Sequence, residues 1–307
     1  VGLGLLSLRM APLSKRFWLV VALVTLTAGG TIGISFGQAA GEGVVFIGSA
    51  ISGIGTAGIL LLWAEAYRSI SPVIAKKYTI PWSLALGVLY YLVLCIFPPL
   101  LAVIATTTLP ILSIALLYRS NTLRKMAGSS PEEEMENVEE GMLAKASQRT
   151  SWHKALPLRF AACAAVYCIP TGFIRGYPSS LAFAATESVG ALVFAGVAIV
   201  MVVVAVASIL FVNQKQIDLA YKLVVPLMAA GLLLLPFLAP AQEAAVGICI
   251  MSGYILFEAY VWASLSDIAA NVTAPSALVF GIGKSGMNVG LLVGTFIGIW
   301  LGSTSGM

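Results

Sequence analysis

Two ionisable residues, Glu258 and Lys284, lie inside long apolar stretches of the chain. Each charge placed in hydrocarbon costs at least about 2.5 kcal/mol, so such residues are rare unless they have a partner. Glu258 lies six residues before the predicted end of its apolar helix, and Lys284 lies eight residues into the next one. At about 1.5 Å per residue, their depths are about 9 and about 12 Å on consecutive antiparallel helices. We therefore expect an ion pair at the edge of a central cavity, placed to act as a switch or a coupling site.

Three further residues are candidates for ligand binding or switching: Glu65, Tyr67 and Tyr260. The tripeptide Glu-Ala-Tyr occurs at 65–67 and again 193 positions later at 258–260, in both cases near the end of an apolar stretch. Alternatives remain open for the charged candidates. Glu65 is close enough to the end of its stretch to reach water. Glu258 and Lys284 could both reach the cytoplasmic interface, or Lys284 could face a backbone carbonyl instead of Glu258.

The remaining reactive side chains do not form a catalytic or metal-binding pattern. The chain has one histidine, His153, in a hydrophilic segment, and its four cysteines lie in apolar runs without Cys-x-x-Cys spacing. No paired carboxylates and no Ser-His-Asp set can be assembled. The segment Gly-Ile-Gly-Lys-Ser-Gly at 281–286 lacks the first glycine and the preceding strand of a phosphate-binding loop. We therefore expect that the chain is not an enzyme and that it binds neither a metal ion nor a cofactor.

The composition indicates which elements must position the candidate residues. The 307 residues are 59% hydrophobic and 10% charged, whereas soluble domains contain roughly 25% charged residues. A helix needs about 20 residues to cross hydrocarbon, and nine stretches are predicted to be complete spans. These are 17–37, 44–64, 80–97, 100–118, 155–174, 189–212, 223–238, 244–264 and 276–300. The fold class is therefore all-α, a polytopic membrane helix bundle surrounded by lipid.

A long hydrophilic segment, 119–154, separates the spans into two groups. Fifteen of the seventeen Lys and Arg residues lie in this segment or on its side of the membrane, whereas Arg175 lies on the other side and Lys284 within a span. Because positive charge is retained in the cytoplasm, 119–154 is predicted to be cytoplasmic. Tryptophans are expected at the interfaces: Trp18, Trp63, Trp82, Trp152 and Trp262 inside, and Trp300 outside.

Glycines and prolines inside the spans are predicted to act in helix packing. The last span has a glycine at every fourth position, at 286, 290, 294, 298 and 302. Such a ridge of small residues allows another helix to approach closely. Prolines at 110, 170, 226 and 236 are expected to kink their helices.

The repeated tripeptide indicates an internal duplication. The same offset carries Ser83 onto Ser276, and brings Gly87 within one residue of Gly281. Two parallel repeats of six spans would give this pattern. The predicted domains are an N-terminal bundle at 1–118, a cytoplasmic linker at 119–154 and a C-terminal bundle at 155–307. On this count spans one and twelve are absent, so we expect a fragment with nine or ten of twelve spans.

Two six-helix halves joined by a charged cytoplasmic loop resemble the major facilitator superfamily, along the whole length of the chain. In one place the chain departs from that family. Facilitators carry Gly-x-x-x-Asp-Arg-x-Gly-Arg between spans two and three, where this chain has Arg-Met-Ala-Pro-Leu-Ser-Lys-Arg at 9–16. The missing aspartate belongs to that family's cytoplasmic charge lock, so the departure disfavours an ordinary transporter.

Four short phrases carry a narrower resemblance. They are Trp63-Ala-Glu65-Ala-Tyr67, Ser83-x-x-x-Gly87-x-x-Tyr90, Leu109-Pro110-x-x-Ser113 and Val279-Phe280-Gly281-x-Gly283. They are similar to bacterial regulators in which a facilitator-like membrane domain precedes a LuxR-type helix-turn-helix. The resemblance implies a sensory or tethering domain that binds an unidentified small molecule and reaches DNA only through a domain beyond Met307. The alternative is a secondary transporter of the major facilitator superfamily, and a helix-turn-helix after Met307 would distinguish the two.

The predicted orientation can be tested with single cysteines at Ser130 and Ser179. In intact cells a membrane-impermeant thiol reagent should label position 179 and leave position 130 unlabelled, because the charge bias places 119–154 inside and 175–186 outside. Labelling at position 130 with none at position 179 would contradict this orientation.

Overall fold

A computed structural model describes residues 13–68, 70, 74–126, 157–176, 187–210, 226, 228–230, 233, 243–272 and 274–305. Regular structure in these ranges is helical. Eight long helices are α1 Phe17–Ala40, α2 Glu42–Arg68, α3 Ile80–Ile96, α4 Pro99–Met126, α5 Leu158–Gly176, α6 Glu187–Leu210, α7 Glu243–Asn271 and α8 Ser276–Ser305. A short 3₁₀ turn, Leu13–Lys15, precedes α1, and a π-helical turn, Ala75–Thr79, precedes α3.

The helices have the length and composition of membrane spans. In the described part of the chain, seven helices are long and apolar enough to cross a membrane, and a shorter apolar helix covers Leu158–Phe173. Large apolar side chains such as Ile199 and Phe296 are exposed, as expected for faces in contact with lipid. The chain is therefore an all-α, multi-pass membrane protein. The predicted span 223–238 lies largely outside the described residues, as do 1–8 and 127–154.

Two predicted span ends differ most from the observed helix ends. The apolar run was expected to end at Ser264, but α7 continues to Asn271. Leu265 and Ala269 have no exposed surface, so tertiary packing supports this extra length despite the polar residues between them. The predicted end at Tyr118 is also not the end of the helix, because α4 continues to Met126. A helix can extend into water beyond the hydrocarbon, and hydropathy marks only the hydrocarbon limit.

Inter-residue contacts group the chain into two compact units. Unit one comprises Val1–Ser69, Phe97–Leu156 and Ile268–Val279, and unit two comprises Ile70–Ile96, Pro157–Asp267 and Phe280–Met307. The predicted division into bundles at 1–118 and 155–307 stays a prediction.

In unit one, α1 and α2 form a tight antiparallel hairpin. Gly41, with φ of +115°, is the single residue between the two helices, and this conformation favours glycine. A Cβ added at Gly30 would lie 2.4 Å from the amide nitrogen of Ser52, and one at Gly55 would lie 2.6 Å from that of Thr27. The hairpin thus depends on glycines that leave room for the backbone of the facing helix.

In unit two, the glycine ridge of α8 packs directly on α5. A Cβ added at Gly286, Gly290 or Gly294 would lie only 2.0 to 2.2 Å from a carbonyl oxygen of α5, namely those of Ala161, Ala165 and Ile169. The numbering rises together along both helices, so α5 and α8 are parallel. The ridge prediction is confirmed for these three glycines, and the parallel packing agrees with the predicted alternation of spans. Gly172 and Gly176 face the α8 backbone in the same way.

The helices α3 and α6 also pack in unit two. The rings of Tyr91 and Phe194 lie 4.4 Å apart. The Ser208 hydroxyl donates a 2.7 Å hydrogen bond to the carbonyl of Lys77, in the π-helical turn. These contacts place α3 and α6 antiparallel, because the numbering falls along one helix as it rises along the other.

Glycine-to-alanine substitutions give a matched test of the ridge. Gly290→Ala should destabilise the protein by roughly 1–3 kcal/mol, because its methyl group would meet the Ala165 carbonyl. Gly87→Ala is the control, since no atom lies within 4 Å of its added Cβ, and it should be neutral or slightly stabilising. Thermal unfolding of the purified chain in detergent measures both. Equal effects of the two substitutions would show that the ridge does not depend on close packing.

Candidate functional site

Glu258 and Lys284 form the ion pair that the sequence predicts. The Lys284 ammonium donates a hydrogen bond to Glu258 Oε1 at 2.5 Å. The Glu258 side chain is 28% exposed and the Lys284 side chain 18% exposed. The pairing is confirmed, whereas a role in switching or coupling stays a prediction.

The extra length of α7 changes the depth of the pair. Glu258 lies thirteen residues before the observed end at Asn271, instead of six before the predicted end. This corresponds to about 20 Å along α7, whereas Lys284 lies about 12 Å from the first residue of α8. The pair is therefore farther from the connecting turn along α7 than the sequence indicates.

Aromatic rings cover one side of the ammonium group. Lys284 Nζ lies 5.3 Å from the ring centre of Trp262, and this ring lies 5.0 Å from that of Phe280. Trp262 is 9% exposed and so packs within the protein, whereas its predicted place at the membrane interface stays a prediction. It follows Glu258 by four residues, a spacing that places both on one helical face. That spacing was the signal in the sequence that Trp262 belongs to the site.

A face of α5 supplies residues that sequence reasoning missed. The ring of Tyr167 lies 4.0 Å from that of Phe257, and the Arg175 guanidinium lies 5.2 Å from the ring centre of Tyr254. Both contacts are with α7, one turn or less from Glu258. The face of α5 that packs on α7 therefore carries a cation and polar groups close to the ion pair.

Glu65 has a different environment, in unit one. Its two carboxylate oxygens accept hydrogen bonds from the backbone amides of Leu13 and Ser14, at 2.7 and 3.0 Å. The Tyr118 hydroxyl donates to the carbonyl of Ser14 at 3.1 Å. Glu65 therefore holds the 3₁₀ turn in place instead of simply extending into water.

The two candidate tyrosines also differ. Tyr67 belongs to unit one and is buried, whereas Tyr260 belongs to unit two and is 43% exposed, with its ring 6.5 Å from that of Phe257. Of the five candidates, the structure brings Glu258 and Lys284 into direct contact. In the described ranges, no three His, Cys, Asp or Glu side chains lie close enough to hold a metal ion.

In comparisons with known proteins, no family model, no curated protein and no solved structure matches the chain. The structure itself defines the class: a multi-pass, all-α membrane protein with a paired glutamate and lysine within its spans. A function has to be inferred from the contacts of that pair.

Charge reversal tests whether the pair is a direct interaction. Glu258→Lys and Lys284→Glu should each destabilise the protein by about 3–5 kcal/mol, because each leaves like charges in a low-dielectric site. The double variant should recover most of that loss, with a coupling free energy above about 1 kcal/mol from thermal unfolding in detergent. Direct pairing would be contradicted if the double variant lost as much stability as the two single variants lose together.

Proposed function

We propose that the chain is the membrane-embedded sensory or tethering domain of a LuxR-type transcriptional regulator. It would lie in a bacterial inner membrane, with 119–154 in the cytoplasm and two six-span repeats of facilitator type. A helix-turn-helix domain outside this sequence would bind DNA. The observation that carries the proposal is the ion pair between Glu258 and Lys284.

This pair has the properties required of a two-state element. A charge buried without its partner is strongly unfavourable, so the pair favours one arrangement of α7 and α8. A ligand that interacts with only one member would favour another arrangement, and its differential affinity sets the size of the shift. A short connection between Asn271 and Ser276 joins the helices, so a change in pairing is transmitted to the end that is predicted to face the cytoplasm.

The phrases that resemble the regulators take part in packing contacts. Trp63 Nε1 donates a 2.8 Å hydrogen bond to Ser113 Oγ, which joins two of the phrases in unit one. Phe280 lies against Trp262 in unit two, and a Cβ at Gly283 would meet the side chain of Leu265. Fixed helix packing of this kind is what a tether or sensor needs, and it supports the proposal.

The Glu65 contact bears on the missing facilitator signature. The residues at 9–16 lack the acid of that signature. Glu65 is hydrogen-bonded to backbone amides at 13 and 14, which are present whatever the side chains are. A contact of this type does not need a second charged group to open and close. It therefore favours a fixed connection over the charge lock of alternating access.

Neutralisation of the pair separates a regulator from a transporter. Glu258→Gln and Lys284→Met are introduced into the full-length gene in its own host, with Glu42→Gln as control because Glu42 is an exposed carboxylate at the start of α2. Each pair variant should change the transcripts of the regulated genes several-fold, since about 1.4 kcal/mol shifts a two-state balance about tenfold. Transcript sequencing measures this. Unchanged transcripts together with lost uptake of a small molecule would support a transporter instead.

A further inference from the structure

Beyond its first turn, α5 has polar residues along one face and is otherwise mainly apolar. Tyr167, Thr171 and Arg175 are spaced by four residues, so they lie on the same face. The contacts of Tyr167 with Phe257 and of Arg175 with Tyr254 show that this face packs on α7. Thr171 lies between the two contacts and is 2% exposed. Three groups capable of hydrogen bonding are therefore collected between α5 and α7.

Two of these groups have no hydrogen-bond partner. Among the described residues, the buried hydroxyls of Tyr167 and Thr171 make no hydrogen bond. An unsatisfied buried hydroxyl costs about 1–3 kcal/mol, and native proteins contain few of them. Ser252 and Ser266 are also unpaired, but Ser252 precedes Tyr254 by two residues and so lies on another side of α7. Tyr167 and Thr171 share one face of α5 with a charged group.

That charged group is the Arg175 guanidinium. It lies over the Tyr254 ring, and no carboxylate among the described side chains is within ion-pair distance of it. Arg175 is in the last turn of α5 and is exposed, so a ligand can reach it. A planar guanidinium with two hydroxyls along the same face matches the two oxygens of a carboxylate.

We propose that unit two binds a small aromatic carboxylate on this face of α5. Arg175 binds the carboxylate, the Thr171 and Tyr167 hydroxyls donate hydrogen bonds, and the rings of Phe257 and Tyr254 contact the apolar body of the ligand. A single guanidinium with neutral hydroxyls suits a monoanion better than a doubly charged phosphate, which would need more positive charge.

The proposed site would be coupled to the ion pair. Tyr254 precedes Glu258 by four residues, about 6 Å along α7. An anion bound beside Tyr254 would repel the Glu258 carboxylate in a medium of low dielectric constant. Ligand binding would then favour the arrangement in which the pair is open. This step depends on the proposed function, whereas binding of the carboxylate does not.

Fluorine NMR with the purified full-length chain in detergent tests the site. The probe is 4-fluorobenzoate, and its neutral isostere 4-fluorobenzamide is the matched ligand. We expect saturable binding of the benzoate and binding at least about tenfold weaker for the amide, as charge-assisted hydrogen bonds require. Arg175→Gln should weaken benzoate binding about tenfold, and Thr171→Val and Tyr167→Phe each about threefold. Arg159→Gln, an exposed arginine in the first turn of α5, should bind as the unmodified chain does.

A second measurement separates binding from folding. Thr171→Val removes an unpaired hydroxyl at nearly constant volume, so thermal unfolding should show a stability equal to or above that of the unmodified chain. Weaker binding without lower stability supports the site. Absence of benzoate binding, or equal binding after Arg175→Gln, would overturn it. If the unmodified chain binds benzoate but Glu258→Gln leaves the transcripts unchanged, the proposed site is supported and the proposed regulatory function is contradicted.

Discussion

The backbone contact between α5 and α8 is the constraint on which unit two depends. Lipid chains are as apolar as the side chains between helices, so helices in a membrane gain little from burying apolar surface and associate mainly through close contact. Gly286, Gly290 and Gly294 remove the side chains that would separate α8 from the α5 carbonyls. This contact fixes the rotation of α8 about its axis. It therefore determines that Lys284 extends towards α7, where Glu258 can neutralise it.

The ion pair in turn explains the aromatic residues beside it. A charged pair held in a medium of low dielectric constant is stable only when its remaining neighbours are also favourable. The Trp262 ring presents a negative face to the Lys284 ammonium, and Phe280 packs on that ring. A tryptophan at this position therefore stabilises the ion pair. The helices α7 and α8 are therefore held together by an ion pair and ring contacts, whereas α5 and α8 are held together by close backbone packing at the glycines.

Sequence rules that depend on one residue or one helix were sufficient for much of this arrangement. The length of an apolar run predicts a span, a glycine at every fourth position predicts a ridge, and the cost of an isolated charge predicts that Glu258 and Lys284 pair. What the sequence could not supply was lateral packing. The spacing of Tyr167, Thr171 and Arg175 is visible in the sequence, but the helix they face is not. The predicted ends of α4 and α7 were also wrong, because hydropathy shows where the chain leaves the hydrocarbon and not where the helix ends.

The two Glu-Ala-Tyr tripeptides show how depth selects the partner of a carboxylate. Glu65 lies three residues from the end of α2 and accepts hydrogen bonds from two neutral backbone amides. Glu258 lies thirteen residues from the end of α7 and has an ammonium group as its partner. On the predicted topology Glu258 lies deeper in the membrane than Glu65, where an isolated charge costs more and a charged partner is favoured. The two contacts also differ in what a ligand can do to them. Backbone amides are fixed by the fold, but a lysine side chain can exchange one anion for another, so of the two glutamates Glu258 is the one whose environment a charged ligand can change.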